Sequence, residues 1–348
     1  MGSGAVHSLM GGDHIRGMVV GNMKNHIIFF SGGKSSFSVA DYVKEKYPGD
    51  NIVLYFTDTL WEDEDLYRFI NEASDKLKLP LLTHSLGINP IQLMFRQKVV
   101  FNSRIGNCSK ILKMKVAADF LKKGIKPPIE KWRNKQYLKQ EDFITDATLY
   151  FGIGFDEMHR QEAIVRNWQP FKVEMPLIDN IIDNDEILRK YNIRQPRLYD
   201  LGFVHNNCRG RCVKAGQGHF RNLKEKLPHV FKELMEQEHH MKVYVSSYHY
   251  IKSLDIDEDT KEIYLRELDD AYEDYFNGKA KKPKPYVPPN LYLKQYSFMK
   301  KSENGEVKPY PIRDLHYDVE REGIQIDLFD IGGCGCFVDG YCEIGGGA

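Results

Sequence analysis

The sequence predicts an α/β protein: a parallel sheet with helices on both faces, extended by further helices and a small C-terminal segment. Three observations predict it. Apolar runs of strand length alternate with stretches of helical period, which is the signature of a sheet built from strand–helix units. The first two strands each end in a polar turn, and five of the six cysteines fall late in the chain, in two clusters.

The first element is Ile27-Ile28-Phe29-Phe30, a short buried strand. Ser31-Gly32-Gly33 forces a turn, since paired glycines reach backbone angles that other residues avoid. Phe37, Val39, Ala40, Tyr42 and Val43 place a helix from about Ser35. A strand, a glycine turn and a helix N-terminus together form a nest of N–H groups suited to phosphate. Ser31, Ser35 and Ser36 add hydroxyl donors and Lys34 adds charge. Two common phosphate loops are excluded: a Walker loop needs glycine where Ile28 stands, and G-x-G-x-x-G is absent.

Asn51–Phe56 is a second strand, ending in Thr57-Asp58-Thr59. Residues 61–79 form a helix with Leu66, Phe69, Ile70, Ala73 and Leu77 on one face, and Leu81–His84 is a third strand. Ligands of such sheets bind beyond the carboxyl ends of the strands. Residues 31–36 and 57–59 both fall there. Asp58 reads either as a cap of the next helix or as a group beside the ligand.

Beyond Asn107-Cys108-Ser109-Lys110 a helix runs through Leu112, Val116, Ala117 and Phe120. Segment 121–140 sets Lys122, Lys123, Lys126, Lys131, Arg133, Lys135 and Lys139 against one acid, Glu130, with Trp132 and Tyr137 interleaved. Such a segment, loop-like around Pro127-Pro128, reads as a contact for single-stranded nucleic acid or as an exposed insertion. Residues 148–155 form another buried strand, followed by Asp156-Glu157-Met158-His159-Arg160. Leu223–Met241 and Asp259–Phe276 are amphipathic helices able to pair in a homodimer; the lysine- and proline-rich stretch 279–289 is a linker.

Composition narrows the function classes. Lys+Arg and Asp+Glu both total 49, so no net charge draws the protein toward nucleic acid or membrane. No apolar run has the length of a membrane span. The first residues have neither the basic start nor the apolar run of a secretory signal, so 1–23 reads as a flexible leader and the chain as cytoplasmic. The expected division is 24–222 for the ligand-binding α/β unit, 223–290 for helices and linker, and 291–348 for the C-terminal segment.

Ser31-Gly32-Gly33-Lys34-Ser35-Ser36 resembles the SGGxDS pyrophosphate loop of the PP-loop superfamily, the adenine-nucleotide alpha-hydrolase-like enzymes. Ser35 replaces the aspartate that helps that family hold Mg²⁺. Residues 175–212 sharpen the likeness: Met175-Pro176-Leu177-Ile178, Tyr191-Asn192-Ile193, Pro196-Arg197-Leu198-Tyr199-Asp200-Leu201-Gly202-Phe203 and Asn207-Cys208-Arg209-Gly210-Arg211-Cys212 are similar to phosphoadenosine phosphosulfate (PAPS) reductase and its relatives. The likeness spans about 27–220 and implies a PP-loop, Rossmann-like fold. It also matches Asp58 to an acid near the nucleotide, Cys108, Lys110 and Lys113 to a cysteine followed by a basic helix, and Arg160 to an anion-binding arginine.

On this resemblance Lys34, Ser36, Asp58 and Arg160 are the catalytic residues. Ser31, Gly32, Gly33, Lys34, Ser35, Ser36, Asp58, Lys110 and Arg160 hold ATP, or PAPS, with Mg²⁺. Cys208-x3-Cys212 and Cys334-x-Cys336 offer four thiolates in two close pairs, a set suited to Zn²⁺ or an iron–sulfur cluster, with buried free thiols as the plain alternative. A metal there tethers the C-terminal segment to the α/β unit.

The reaction implied for the larger class is cleavage of ATP between the α and β phosphates, with AMP passed to an unknown acceptor. Three other readings stand beside it. They are true sulfonucleotide reduction, a nucleic-acid-binding sulfur-modification or phage-defence protein, and a nucleotide-binding module without turnover. The E-C-G-x-H motif of the true reductases is absent; Gly333-Cys334-Gly335-Cys336 is the nearest approach.

Overall fold

The structure, a computed structural model, describes residues 23–102, 105–286 and 294–315. Its centre is a six-stranded sheet of β1 (Asn25–Phe29), β2 (Asn51–Thr57), β3 (Leu81–Ser85), β4 (Ile129–Arg133), β5 (Thr148–Tyr150) and β6 (Lys172–Glu174). Their spatial order is β4-β3-β2-β1-β5-β6. All neighbours are parallel except β4, which runs antiparallel to β3. The order turns back at β1: β2 and β3 build outward on one side, and β5 and β6 on the other. That reversal opens a crevice at the strand ends, the usual ligand position in open α/β sheets.

β1 shows why both faces are covered. Ile28 and Phe30 enter one core with Phe37, Val39 and Val43 of α1 (Lys34–Lys46) and Leu66, Phe69 and Ile70 of α2 (Glu64–Leu77). Ile27 and Phe29 enter the other with Met114, Ala117 and Trp168. Strand alternation sends successive side chains to opposite faces, and the consecutive apolar residues from Ile27 to Phe30 demand helices on both. The described structure thus has the expected α/β sheet.

A third core lies beyond the sheet. It joins α3 (Pro90–Gln97) to residues from Leu198 to Leu315. Between α3 and these lie a π-helical stretch, Ser109–Lys115, that runs into α4 (Val116–Lys123), and then α5 (Gln161–Asn167), α6 (Pro176–Asp179), α7 (Asn184–Tyr191) and α8 (Arg197–Asp200). The third core itself is dominated by α9 (Gln217–Lys226), α10 (Pro228–Ser253) and α11 (Glu258–Phe276). A hairpin of β7 (Met299–Glu303) and β8 (Glu306–Tyr310) completes it, turning through Asn304 and Gly305, both at positive φ.

Several expected elements differ. The helix expected over Leu223–Met241 is two helices, because Pro228 lacks an N–H and opens a new one. The strand expected over 148–155 ends at Tyr150, where the chain leaves the sheet through Gly152 and Gly154. Segment 121–140 is no loop-like insertion: it carries β4 on the sheet edge. There Lys126 pairs with Glu130, Arg133 with Asp75 and Lys135 with Glu141, while Trp132 packs edge-on against Phe143. α10 and α11 bury Leu234, Met241, Tyr244, Leu268 and Phe276 within the chain. The leader through residue 22, Cys334, Cys336 and the rest of 316–348 lie outside the described residues.

Candidate functional site

The turn after β1 is set by two glycines. Gly32 has φ +79°, and a Cβ there would stand 2.8 Å from Leu66 Cγ. Gly33 is extended, and a Cβ on it would approach the Tyr199 hydroxyl to 3.0 Å. The first N–H groups of any helix have no acceptor within it, and α1, which begins at Lys34, has no capping side chain to supply one. Ser36 Oγ donates to Gly33 O at 2.9 Å, which fixes the hydroxyl inside the turn.

The far wall comes from β5. A Cβ on Gly152 would lie 2.8 Å from Ser36 N, so glycine alone allows the chain beyond β5 to approach the start of α1 this closely. After it, Glu157 and buried Arg160 form an ion pair. The crevice between the walls is lined by Ser31, Gly33, Ser35, Ser36, Gly152 and Arg160, with Lys113, His205 and Asn206 closing its sides. Burial lowers the His205 pKa, which keeps the ring neutral near pH 7.

A second layer stands behind β2. Glu62 is buried and accepts from the Cys208 N–H at 2.6 Å and from Thr59 Oγ1 at 3.0 Å. Lys113 Nζ lies 3.3 Å from Glu62 Oε1, and both side chains are almost wholly buried. Burial alone would discharge Lys113, but the Glu62 carboxylate and the neighbouring Cys208 outweigh it, and the pKa is raised. Lys113 therefore offers a fixed positive charge to the crevice it lines.

Three thiols surround this ion pair. Cys208 and Cys212 share a hydrogen bond that, with burial, holds Cys208 well above the ordinary thiol range. The same bond, with the Lys214 N–H, draws Cys212 down to about 7. Burial and the charge of Cys212 push Cys108 up to about 11. All three are free thiols, and among the described residues no group of three or more His, Cys, Asp or Glu is arranged to hold a metal. The expected four-cysteine set is divided by the described boundary, with Cys334 and Cys336 beyond it.

The residues expected at the site do not all meet there. Ser31, Gly32, Gly33, Ser35, Ser36 and Arg160 come together around the crevice. Lys34 turns outward, its ammonium 3.0 Å from Asp185 and 5.1 Å from the Tyr199 ring centre. Asp58 is buried behind the lining; its Oδ1 accepts from Leu60 N and Tyr67 Oη, each at 2.8 Å, and burial raises its pKa. Lys110 is half-buried on the π-helical stretch and does not line the crevice, whereas Lys113, one turn on, does.

These positions bear on Mg²⁺. Among the described residues the one carboxylate lining the crevice is Glu157, already paired with Arg160. With Ser35 in the loop and Asp58 engaged elsewhere, the described residues do not fit a protein-held Mg²⁺. Three contributors escaped the sequence reading. Gly152 is half of a glycine pair whose role depends on Ser36. Glu62 lies in an acidic run that reads as a helix start, and Asn206 carries no motif.

No curated protein matches the chain. A family model described as phosphoadenosine phosphosulfate reductase domain matches residues 25–129, from β1 through the first residue of β4. The match contains the glycine turn, Glu62 and Lys113, and stops short of Gly152, Arg160 and Asn206. Over residues 25–129 the chain thus matches the phosphoadenosine phosphosulfate reductase domain, a family of the PP-loop superfamily.

Proposed function

We propose that the chain is an enzyme that binds ATP in the crevice between β1 and β5. It cleaves the nucleotide between its α and β phosphates and transfers AMP to an acceptor. The observation that carries this reading is the contact of Gly152 with Ser36, which sets an uncapped helix start, two serine hydroxyls and Arg160 around one opening. An acceptor oxygen attacks the α-phosphorus, the bond to the bridging oxygen breaks, and pyrophosphate leaves with its electron pair. The loop N–H groups, Ser31 and Ser36 would bind the departing oxyanions, and Lys113 and Arg160 would offset their charge. Mg²⁺ enters with the nucleotide's own oxygens, and no step is assigned to a protein-held metal.

The same reading takes 24–222 as the nucleotide-binding unit and 223–290 as a helical extension. It places the protein in the cytoplasm; among the described residues no helix is long and apolar enough to cross a membrane. It also joins Cys208 and Cys212 to Cys334 and Cys336 around Zn²⁺ or an iron–sulfur cluster, tethering 291–348. Metal analysis of anaerobically purified protein tests that tether; metal-free protein with four titratable thiols at these positions would refute it.

A second reading, reduction of a sulfonucleotide, is favoured by Cys108, Cys208 and Cys212 beside Lys113 at the crevice wall. Thermal unfolding with ATP–Mg²⁺ and with 3′-phosphoadenosine 5′-phosphate separates the two. A ligand present at a hundred times its dissociation constant adds about 2.7 kcal/mol to the folded state. A rise with ATP alone, with pyrophosphate release in the presence of an acceptor, supports adenylation. A larger rise with the bisphosphate transfers support to the second reading, and no rise with either removes both.

A further inference from the structure

We infer that Asn206 reads a hydrogen-bond donor on the bound nucleotide, through a carbonyl oxygen that its bond to the glycine turn leaves without a partner. The inference rests on the proposal that the crevice takes an adenine nucleotide. It concerns a residue well beyond the matched stretch 25–129.

The geometry begins with Gly32. Asn206 Nδ2 donates to Gly32 O at 2.9 Å, across 174 residues of sequence. An amide has one donor end and one acceptor end, so this bond decides which way the group faces. Nδ2 meets the loop, and Oδ1 is the end left over, buried on a residue that lines the crevice. Asn206 is 3% exposed, and Oδ1 has no hydrogen-bond partner among the described residues. Buried carbonyl oxygens in folded proteins are nearly always satisfied. A ligand donor placed against Oδ1 completes the set.

The chemistry of the donor follows from what a nucleotide carries. Ionised phosphate oxygens only accept, so Oδ1 cannot bind them. The ribose hydroxyls and the 6-amino group of adenine do donate, and either satisfies the amide oxygen. His205, its neutral neighbour in the chain, adds no charge that would favour phosphate at this point. Asn206 thereby has two duties at once, holding the turn that receives phosphate and selecting the nucleoside joined to it. It is a binding residue, and its effect on chemistry is one of positioning.

The test is calorimetric titration of the full chain with ATP, 2′-deoxy-ATP, 3′-deoxy-ATP and purine riboside triphosphate, which lacks the 6-amino group. The wild-type protein is expected to bind one of the three analogues about threefold to tenfold more weakly than ATP, the weight of one hydrogen bond. The analogue that weakens identifies the donor. Asn206→Leu is expected to bind that analogue and ATP equally, having lost the acceptor that distinguishes them. Equal binding of ATP and all three analogues by the wild-type protein overturns the inference without recourse to any variant, and leaves ATP binding intact. A variant that folds and weakens ATP and every analogue by one common factor also overturns it, since Asn206 then serves the loop alone. Failure of the wild-type protein to bind ATP overturns both the inference and the reading beneath it.

Discussion

Gly152 approaches the backbone of Ser36 so closely that a methyl group on it would stand 2.8 Å from the Ser36 nitrogen. The first wall of the site is thereby defined by the second. Backbone atoms on the helix start cannot swing aside as a flexible side chain can. Gly152→Ala is therefore expected to displace the first turn of α1, with a stability loss of about 1–3 kcal/mol. ATP affinity should fall more than tenfold, measured calorimetrically on protein whose fold is checked by circular dichroism. Unchanged affinity would show that the contact does not shape the phosphate loop.

The Lys113–Glu62 pair behaves differently from a surface bridge because both partners are buried. Lys113→Met leaves an uncompensated carboxylate and should cost about 3–5 kcal/mol in urea unfolding. Adding Glu62→Gln removes the orphaned charge and keeps an acceptor for the Cys208 N–H. The double variant is accordingly expected to be more stable than Lys113→Met alone. A double variant less stable than the single one would show that the pair is not coupled as described.

Lys34 and Lys113 give a direct contrast in nucleotide binding. Lys34 pairs with the largely exposed Asp185 at the surface, where such bridges contribute less than about 1 kcal/mol. Lys34→Ala should leave stability within that range and weaken ATP binding less than the double variant Lys113→Met/Glu62→Gln does. The reverse order in titration would restore Lys34 to the central role its place in the loop suggests.

Glu238 ties the hairpin to α10. Its carboxylate oxygens accept from Phe298 N at 2.7 Å and Ile312 N at 2.8 Å, and burial pushes its pKa up to about 7 from an ordinary 4.5. Arg313 and Lys242 oppose that rise without cancelling it. A carboxyl whose folded pKa is raised binds its proton more tightly in the native state, so stability falls as pH rises from about 4.5 to about 7 and levels off above. The loss from this group is roughly 3 kcal/mol. Urea unfolding across that window should show a steeper fall in the wild-type protein than in Glu238→Gln. Parallel curves would remove Glu238 as the source.

Local chemistry was legible where neighbours in sequence do the work. Ile27–Phe30, Gly32-Gly33 and the helix after them announce a strand, a turn and a helix N-terminus, and the structure has all three. The continuous apolar run Ile27–Phe30 called for helices on both faces, and they are there. The Asn304-Gly305 turn of the hairpin was also written locally, although the residues flanking it are too charged to read as strands. The break at Pro228 was available from proline alone.

What the sequence by itself determined is the class of fold and the strand–glycine turn–helix at its head, because backbone preference and apolar period act over a few residues. Only the tertiary structure decided which side chains face the crevice. Asn206 reaches Gly32 across 174 positions, Cys208 reaches Glu62 across 146, and Gly152, past the end of β5, comes up against the backbone of Ser36. The same packing turned Lys34 and Asp58 away from the opening and brought Lys113 to it. These outcomes depend on sheet order and on the cost of burying charge without a partner, and neither is carried by any short stretch of chain.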